Sequence, residues 1–390
     1  GASTMQNFQF ANPTQIIFGK GQIEQLTAKI PVGSKVFILY GGGSAQKTGL
    51  LGTVKDTLKG YQVGEFGGIE PNPTYETLMK AVEIIRKENY DFLLAVGGGS
   101  VIDGTKFIAA AVPYLQGDPW EIVRDWLDVK SALPFGVVLT LPATGSEMND
   151  GAVITRKEIQ AKLPFMSKAV FPRFSILDPI YTYTLPTKQI SNGVVDSFIH
   201  VMEQYLTYPA EGKVQDRFSE GLLLTLIEEG PKALQEKENY DVRANLMWVA
   251  SLALNGLIGS GVPQDWATHM IGHEITVLYG LDHAQTLAIV LPSLLEVMKE
   301  EKQAKLLQYG ERVWNLPKDM SVEEKATAAI ERTRNFFETM GVKTRLADYG
   351  LGQDVIEPII ANLEAHGMVE LGEKGLVTPA IVRSILSKSL

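Results

Sequence analysis

The stretch YDFLLAVGGGSVIDGTKF, residues 90–107, predicts a strand, a glycine turn and a helix in immediate succession. Its apolar run has the length of a buried strand, and the segment after the glycines has helical spacing. The preceding segment YETLMKAVEIIRKENY (75–90) carries apolar residues on one helical face and charges on the other. Further strands are predicted at KVFILY (35–40), FGVVLTL (135–141) and AVFPRFSILDP (169–179). Such alternation of strands and helices is typical of a parallel sheet with crossover helices.

The pattern of predicted secondary structure changes near residue 186. Beyond it, four segments have helical periodicity and none alternates as a strand does: residues 187–207, 216–234, 242–259 and 323–341. A chain of 390 residues also exceeds what one hydrophobic core usually supports. We therefore predict an α/β, Rossmann-like domain over residues 5–188 and an all-helical domain over residues 189–390.

Composition excludes several classes of function. The absence of cysteine rules out disulfides, thiolate metal sites and cysteine nucleophiles. A net charge of −9 argues against a nucleic-acid partner, which needs a basic surface. No apolar run reaches the roughly 18 residues of a membrane span, and the first residues lack the pattern of a signal peptide. The expectation is a cytoplasmic protein with neither membrane nor nucleic acid as a partner.

The tetrapeptide GGGS occurs twice, at 41–44 and 97–100, each time after a predicted strand. Glycines at a strand-to-helix turn let backbone N–H groups approach and hold a phosphate. Neither turn matches the G-x-G-x-x-G fingerprint, and a tight turn that merely needs glycine is the alternative. Asp103 and Lys106 share one face of the following helix, either near a cofactor or as a solvated ion pair. The loop LPATGSEMN (141–149) adds small hydroxyl groups suited to a pyrophosphate or a nicotinamide amide.

Three of the five histidines lie within fifteen residues, in WATHMIGHEITVLYGLDHAQ (266–285). His269 and His273 are four residues apart and share a helical face, and Asp196 and His200 repeat this spacing upstream. One carboxylate with several imidazoles suits Zn²⁺ or Fe²⁺. A lone histidine on an apolar helix is more often a core residue, but this clustering favours a metal site. The fifth histidine, His366, is interpreted as the end of a helix before Gly367, without chemistry.

These residues resemble the iron-containing, metal-dependent alcohol dehydrogenases, whose fold is that of the dehydroquinate-synthase-like group. The resemblance runs through PTQIIFGKG, GGIEPNP, GGGSVIDGTK, LPATGSE, ILDP, the Asp-x-x-x-His pair and the H-x-x-x-H block with its later histidine. The nearest likeness is to the NADP-preferring butanol dehydrogenase and broad-range aldehyde reductase branch. One departure is local: the family's last ligand usually sits in Pro-His-Gly, whereas this chain has LDHAQ.

The resemblance implies a function for each matching position. It implies four metal ligands: Asp196, His200, His269 and His283. It implies that His273 is a catalytic residue beside the nicotinamide that helps to relay a proton. It implies cofactor contacts at Asn72, Gly98, Gly99, Ser100, Asp103, Thr140, Thr144, Ser146, Asn149 and Lys162. The implied activity is hydride transfer between NADP(H) and short-to-medium-chain alcohols or aldehydes, with one Fe²⁺ or Zn²⁺ polarising the substrate oxygen.

The first glycine turn bears on cofactor choice. NAD-dependent enzymes commonly place an acidic residue after an early strand, where it bonds the ribose. Here no acidic residue follows KVFILY before Asp56. Gly42 and Gly43 leave room for a 2′-phosphate and Ser44 can donate a hydrogen bond to it, so we predict a preference for NADPH. Lys47 either adds charge there or is a solvated surface lysine.

Two other classes of enzyme stay open at this point, together with the state of assembly. A metal-dependent hydrolase could use the same ligands, but it has no use for two phosphate-binding turns. A dehydroquinate-synthase-like lyase needs basic residues for an anionic substrate, whereas MWVASLALNGLIG and DWATHM are mostly apolar and aromatic. A non-enzymatic nucleotide-binding module leaves the metal-capable set unexplained. The segment NFQFANPTQIIFG (7–19) predicts one or two strands, and pairing of such strands across a two-fold axis predicts a homodimer.

Overall fold

The computed structural model describes residues 4–390, apart from the side chain of Ser44. The chain forms two compact units. The α/β unit comprises Ala11–Pro186 and Lys237–Asn255, and the helical unit comprises the segment up to Phe10, Thr187–Glu236 and Gly256–Leu390.

The α/β unit contains a six-stranded, wholly parallel sheet and a two-stranded antiparallel hairpin. Its strands are β1 (Gln15–Phe18), β2 (Lys35–Tyr40), β3 (Gln62–Phe66), β4 (Phe92–Gly97), β5 (Phe135–Leu139), β6 (Gly151–Arg156), β7 (Ala161–Met166) and β8 (Phe174–Leu177). The sheet order is β1-β8-β5-β4-β2-β3, and β6 pairs with β7. Alternate residues of β4 enter two different core clusters: Leu93 and Ala95 one, Leu94 and Val96 the other. Both faces of the sheet are therefore covered, as parallel sheets require.

Six of the seven α-helices of this unit lie between its strands in sequence, and the seventh follows the last strand. They are α1 (Leu26–Lys29), α2 (Ser44–Lys47), α3 (Leu50–Thr57), α4 (Tyr75–Glu88), α5 (Gly99–Ala111), α6 (Trp120–Arg124) and, from later in the chain, α9 (Tyr240–Leu252). Four of the predicted strands are present in the structure. The strands predicted at 35–40, 90–96 and 135–141 are β2, β4 and β5, and the one predicted within 169–179 is β8. The sequence does not predict β3, whose residues are mostly exposed, or the hairpin, whose β7 contains Pro164.

The helical unit consists of eight helices within its described residues. They are α7 (Thr187–Tyr205), α8 (Lys213–Gln235), α10 (Ala267–Tyr279), α11 (His283–Val297), α12 (Gln303–Arg312), α13 (Val322–Thr339), α14 (Ile356–Ala365) and α15 (Pro379–Lys388). Helix α7 packs against α8 and α11, and α10 packs against α11 and α14. Nearly every side chain of α7 after Ile190 is buried, including its charged ones. Because buried charges need partners, this helix is where a site is expected.

The predicted boundary between residues 188 and 189 does not separate the two units. Each unit includes a segment of the chain from the other side of that boundary. The backbone N–H of Gln6 donates to the carbonyl of Gly261, 2.8 Å away, within the helical unit. In the α/β unit, Arg243 of α9 donates to the carbonyl of Thr182 at 2.6 Å. Helical periodicity identifies α9 as a helix but does not tell on which unit it packs. Among residues 4–390, none of the helices combines the length and apolar character needed to cross a bilayer.

Candidate active site

Four side chains converge in the helical unit. Asp196 and His200 lie one turn apart on α7, His269 lies in the first turn of α10, and His283 is the first residue of α11. One ligand-capable atom from each lies within 4.8 Å of all the others. The Nε2 atoms of His283, His200 and His269 lie 3.3, 3.5 and 3.9 Å from Oδ1 of Asp196. We call these four residues the Asp–His cluster.

The Asp–His cluster suits a divalent cation. Oδ1 of Asp196 and Nε2 of His269 are buried, and no hydrogen-bond partner for either lies among the described residues. Burying a polar atom without a hydrogen-bond partner costs folding free energy. A cation bound by both atoms would remove that cost. Three imidazoles and one carboxylate, with no thiolate, are ligands that Zn²⁺ and Fe²⁺ accept. The residues present therefore fit the metal that the sequence motifs imply.

The electrostatics of the cluster agree with this fit. Burial lowers the pKa of His200 to about 3, so its imidazole is neutral and has a lone pair to give. Burial acts to raise the pKa of Asp196, but the surrounding imidazoles hold it below its usual range. Burial acts to lower the pKa of His269, but Asp196 and Glu203 outweigh it and raise that pKa to about 9. A metal ion at Nε2 of His269 would take the place of the proton that this raised pKa favours on the ring.

His283 is positioned by a helix cap. Asp282 forms a capping box at the start of α11, and its backbone N–H donates a hydrogen bond to Oε1 of Gln285, 2.9 Å away. This cap gives the LDHAQ sequence a defined backbone where the family usually has Pro-His-Gly. The difference in sequence at this loop leaves His283 within the cluster.

His273 lies one turn after His269 on α10 and is buried. Its ring centroid is 5.8 Å from that of His283 and 6.3 Å from that of His269. Its nitrogens are not among the four convergent ligand atoms. This placement agrees with a position beside a bound metal, and its role in proton relay stays a prediction.

Two residues that the sequence analysis does not single out complete this site. Oε2 of Glu203 lies 2.7 Å from Nδ1 of His269, and Glu203 is seven residues after Asp196 on α7. The ring of Trp266 is edge-on to that of His269, with centroids 5.2 Å apart. Asp196, His200 and Glu203 share one helical face, but this spacing does not tell whether a glutamate at position 203 is buried or solvated. His366, by contrast, pairs with Glu274 at 2.8 Å after the end of α14, as a structural residue.

The two GGGS turns come together in the α/β unit. Strands β2 and β4 are neighbours, with Tyr40 opposite Val96, so both turns begin at the same edge of the sheet. The chain moves outward in opposite directions from these strands, and such a switch point is where doubly wound sheets bind ligands. Gly98 caps α5, which begins with Gly99 and Ser100. A Cβ on Gly99 would lie 2.3 Å from Oγ1 of Thr144, so only glycine allows this close approach. Thr140 follows β5, and its N–H donates to the carbonyl of Gly97 at 3.0 Å.

Several predicted cofactor contacts have internal partners. Asp103 accepts hydrogen bonds from Ser146 Oγ at 2.6 Å and from the N–H of Val153 at 3.0 Å. Asn149 Oδ1 accepts from Nζ of Lys106 at 2.8 Å, and Asn149 Nδ2 donates to the carbonyl of Gly145. These bonds fix the loop 141–149 on α5. Whether the same side chains also contact a cofactor stays a prediction.

Lys106 differs from the solvated ion pair offered as one alternative. It is fully buried, and its Nζ donates to Asn149 and to the carbonyl of Gly151. Burial lowers its pKa to about 8, against the opposing charge of Asp103. Most residues of α5 are buried, so a charged side chain on this helix need not be solvated, and the spacing of charges alone does not decide between the two alternatives.

The remaining predicted cofactor contacts lie on β7, in two loops and at the start of α2. Lys162 Nζ donates to Oδ1 of Asn72 at 2.8 Å, and Asn72 has a left-handed backbone with φ 55°. Gly42 is exposed and Gly43 has φ 111°. The predicted hydrogen bond from the Ser44 side chain lies outside the described part of the chain.

Comparison with known proteins decides the family. Residues 13–179 match the iron-containing alcohol dehydrogenase family, and residues 190–387 match the C-terminal region of the same Fe-containing family. The chain belongs to the iron-containing alcohol dehydrogenase family. The resemblance drawn from the motifs and the predicted fold class are thereby confirmed.

Individual relatives cover the whole chain. The chain is 60% identical over 383 residues to the NADPH-dependent aldehyde reductase YqhD of Escherichia coli, covering 98% of this chain and 99% of that protein. A crystal structure of E. coli YqhD superposes with a TM-score of 0.98 at 58% identity, covering 100% of both chains. The NADH-dependent butanol dehydrogenase A of Thermotoga maritima gives a TM-score of 0.94 at 34% identity, covering 99% of each chain.

Proposed function

We propose that the protein reduces aldehydes to the corresponding alcohols with NADPH as hydride donor and one Fe²⁺ or Zn²⁺ per chain. The observation that carries this proposal is the convergence of Asp196, His200, His269 and His283, in which Oδ1 of Asp196 and Nε2 of His269 have no hydrogen-bond partner among the described residues. The E. coli relative that is 60% identical is itself an NADPH-dependent aldehyde reductase, which supports the cofactor and substrate class.

The reaction adds one hydride to the carbonyl carbon and one proton to the carbonyl oxygen. A bound divalent ion supplies Lewis-acid polarisation of that oxygen, and reduced nicotinamide supplies the hydride. The chain contributes the four ligand side chains, and we assign His273 to hold and pass the proton through a ring nitrogen. The buried surroundings of the cluster keep bulk water away, which strengthens every charge interaction there. The paired glycine turns of the α/β unit are assigned to the cofactor phosphates.

Neither alternative activity gains support from the relatives. Those described above are a reductase and a dehydrogenase, and both glycine turns lie at the switch point of the parallel sheet. A hydrolase leaves those turns without a purpose. A dehydroquinate-synthase-like lyase has no support from any of these relatives.

The direct test of the proposal also tests the first glycine turn. Wild-type kcat/KM for an aldehyde is expected to be higher with NADPH than with NADH. Gly42 is exposed, its φ is not in the left-handed region, and an added Cβ meets nothing within 4 Å. Gly42→Asp is therefore tolerated, and its carboxylate repels a 2′-phosphate, so kcat/KM with NADPH should fall about tenfold or more (~1.4 kcal/mol).

Gly42→Asn is the matched control, since it has the same shape without the charge. It should leave the ratio of the two cofactors near the wild-type ratio. Two results count against this account: equal or better use of NADH by wild type, or the same ratio for the Asp and Asn variants. No oxidation of NADPH by any aldehyde would refute the function itself.

We also propose a homodimer. Strand β1 pairs with β8 on one side only and ends the sheet, so its other edge is available for pairing. Phe18 at its end is 37% exposed, an apolar side chain of the kind that interfaces cover. Light scattering at micromolar concentration should report twice the 42.8 kDa chain mass. A monomer at that concentration would overturn the proposal.

A further inference from the structure

Glu203 makes two contacts with one residue of the Asp–His cluster. Its carboxylate is 1% exposed, and Oε2 accepts hydrogen bonds from the backbone N–H of His269 at 3.0 Å and from ring Nδ1 of His269 at 2.7 Å. In the neutral ring, an Nδ1 that donates leaves the lone pair on the other nitrogen, Nε2. Nε2 is the atom that faces Asp196 within the cluster. The bond from Glu203 thus selects the tautomer that can bind a metal.

Helix capping alone does not account for this arrangement. Asp265 already accepts the N–H of Ala267 at the start of α10, at 3.0 Å. The backbone bond from His269 to Glu203 adds a second acceptor for the first turn, and a carboxylate there is favourable for the helix dipole. The ring bond contributes nothing to the cap. It fixes the rotation and the tautomer of the His269 imidazole. Both matter when that imidazole is the ligand of a metal ion.

A second buried group of charges holds Glu203 in place. The backbone carbonyl of Glu203 accepts the N–H of Asp265 at 2.8 Å. Nζ of Lys302 lies 2.8 Å from Asp265 and 2.6 Å from Glu373, and it also donates to the carbonyl of Leu206 at 2.9 Å. All three protons of this buried ammonium have acceptors. These bonds connect Glu203 to Asp265, and they connect both Asp265 and the end of α7 to Lys302.

The charges of the buried carboxylates also indicate a role for Glu203 at the Asp–His cluster. The cluster contributes one buried carboxylate, Asp196, and Glu203 contributes a second in contact with a cluster imidazole. Two negative charges balance one divalent cation in a place with little solvent, where an unbalanced charge is costly. Without Glu203, the two positive charges of the ion would face the single carboxylate of the Asp–His cluster, Asp196.

We propose that Glu203 is a positioning residue that holds His269 in the orientation and tautomer for metal binding and balances the charge of the ion. This rests on the proposed function, because it presupposes that the Asp–His cluster binds a divalent ion. The prediction is that loss of Glu203 weakens metal affinity without removing any ligand.

The experiment measures affinity of the metal-free protein for Zn²⁺ and Co²⁺ by competition with a chromophoric chelator, in wild type, Glu203→Gln and Glu203→Ala. Glu203→Ala removes both the acceptor and the charge, and its affinity should fall about 10- to 100-fold. Glu203→Gln keeps an oxygen acceptor and loses the charge, so its affinity should fall about tenfold, at the low end of that range. The visible spectrum of bound Co²⁺ should also change in Glu203→Ala, since the orientation of one imidazole is released.

Glu274→Gln is the matched control, because Glu274 is another buried carboxylate paired with a histidine in the same unit. It should lower the melting temperature of the metal-free protein but keep metal affinity within twofold of wild type. Wild-type affinity in Glu203→Ala overturns this inference, and so does wild-type affinity in Glu203→Gln if the alanine variant does not fold. Absence of metal binding by wild type would instead refute the proposed function.

Discussion

Replacing His269 with alanine is expected to remove the divalent ion and to lower kcat/KM for aldehyde reduction at least a thousandfold, equivalent to ~4 kcal/mol of transition-state stabilisation. His269 is one of four convergent ligands, and its Nε2 has no other hydrogen-bond partner among the described residues. The variant loses a ligand but keeps the apolar packing of α7 and α11, so it should fold. The measurements are metal content per chain and the rate of NADPH oxidation with an aldehyde.

His366→Ala is the control for that loss. His366 is a partly buried histidine paired with Glu274, outside the Asp–His cluster. It should keep the ion and the rate and lose only stability. One ion per chain and a wild-type rate in His269→Ala would show that the ligands are wrongly assigned.

The second large effect is expected on kcat when His273 is replaced. His273→Ala is expected to keep the ion, because its nitrogens are not part of the convergent set, and to lower kcat about 10²- to 10⁴-fold, the usual range for a lost proton-transfer group. KM for the aldehyde should change less than kcat. The pH–rate profile should lose one limb, which a merely structural substitution would not cause.

His273→Gln separates proton transfer from hydrogen bonding. Glutamine can donate and accept hydrogen bonds but cannot take up and release a proton near neutral pH. It should be as slow as the alanine variant. A fast glutamine variant, or loss of the metal from either variant, would contradict the role assigned to His273.

Strands and helices with strong hydrophobic patterns were predictable from the sequence. Strand β4 and helix α5 lie almost where the stretch 90–107 places them, because a buried parallel strand and a buried helix leave distinct patterns. Strand β3 was missed because its side chains face solvent and do not alternate clearly. The packing of α9 on the α/β unit depends on contacts distant in sequence, such as that between Arg243 and Thr182, which local pattern does not encode.

At the site, residue type and spacing indicated a metal-capable set, and the resemblance to the family separated four ligands in it from His273, but neither identified the residues that support them. Histidine and aspartate four apart on a helix have few other uses, so Asp196, His200 and His269 could be singled out. The sequence does not distinguish a glutamate or lysine that is buried in the fold from one that is exposed to solvent. Glu203 and Lys106 therefore acquire their roles only when tertiary structure buries them beside His269 and Asn149.

The central claim is that the Asp–His cluster holds one divalent ion on which aldehyde reduction depends. Its most direct test is titration of metal-free protein with Zn²⁺ or Fe²⁺, recording the rate of NADPH oxidation in the presence of an aldehyde. The account predicts no rate without metal and a linear rise that stops at one ion per chain. Full activity of the metal-free protein would contradict it.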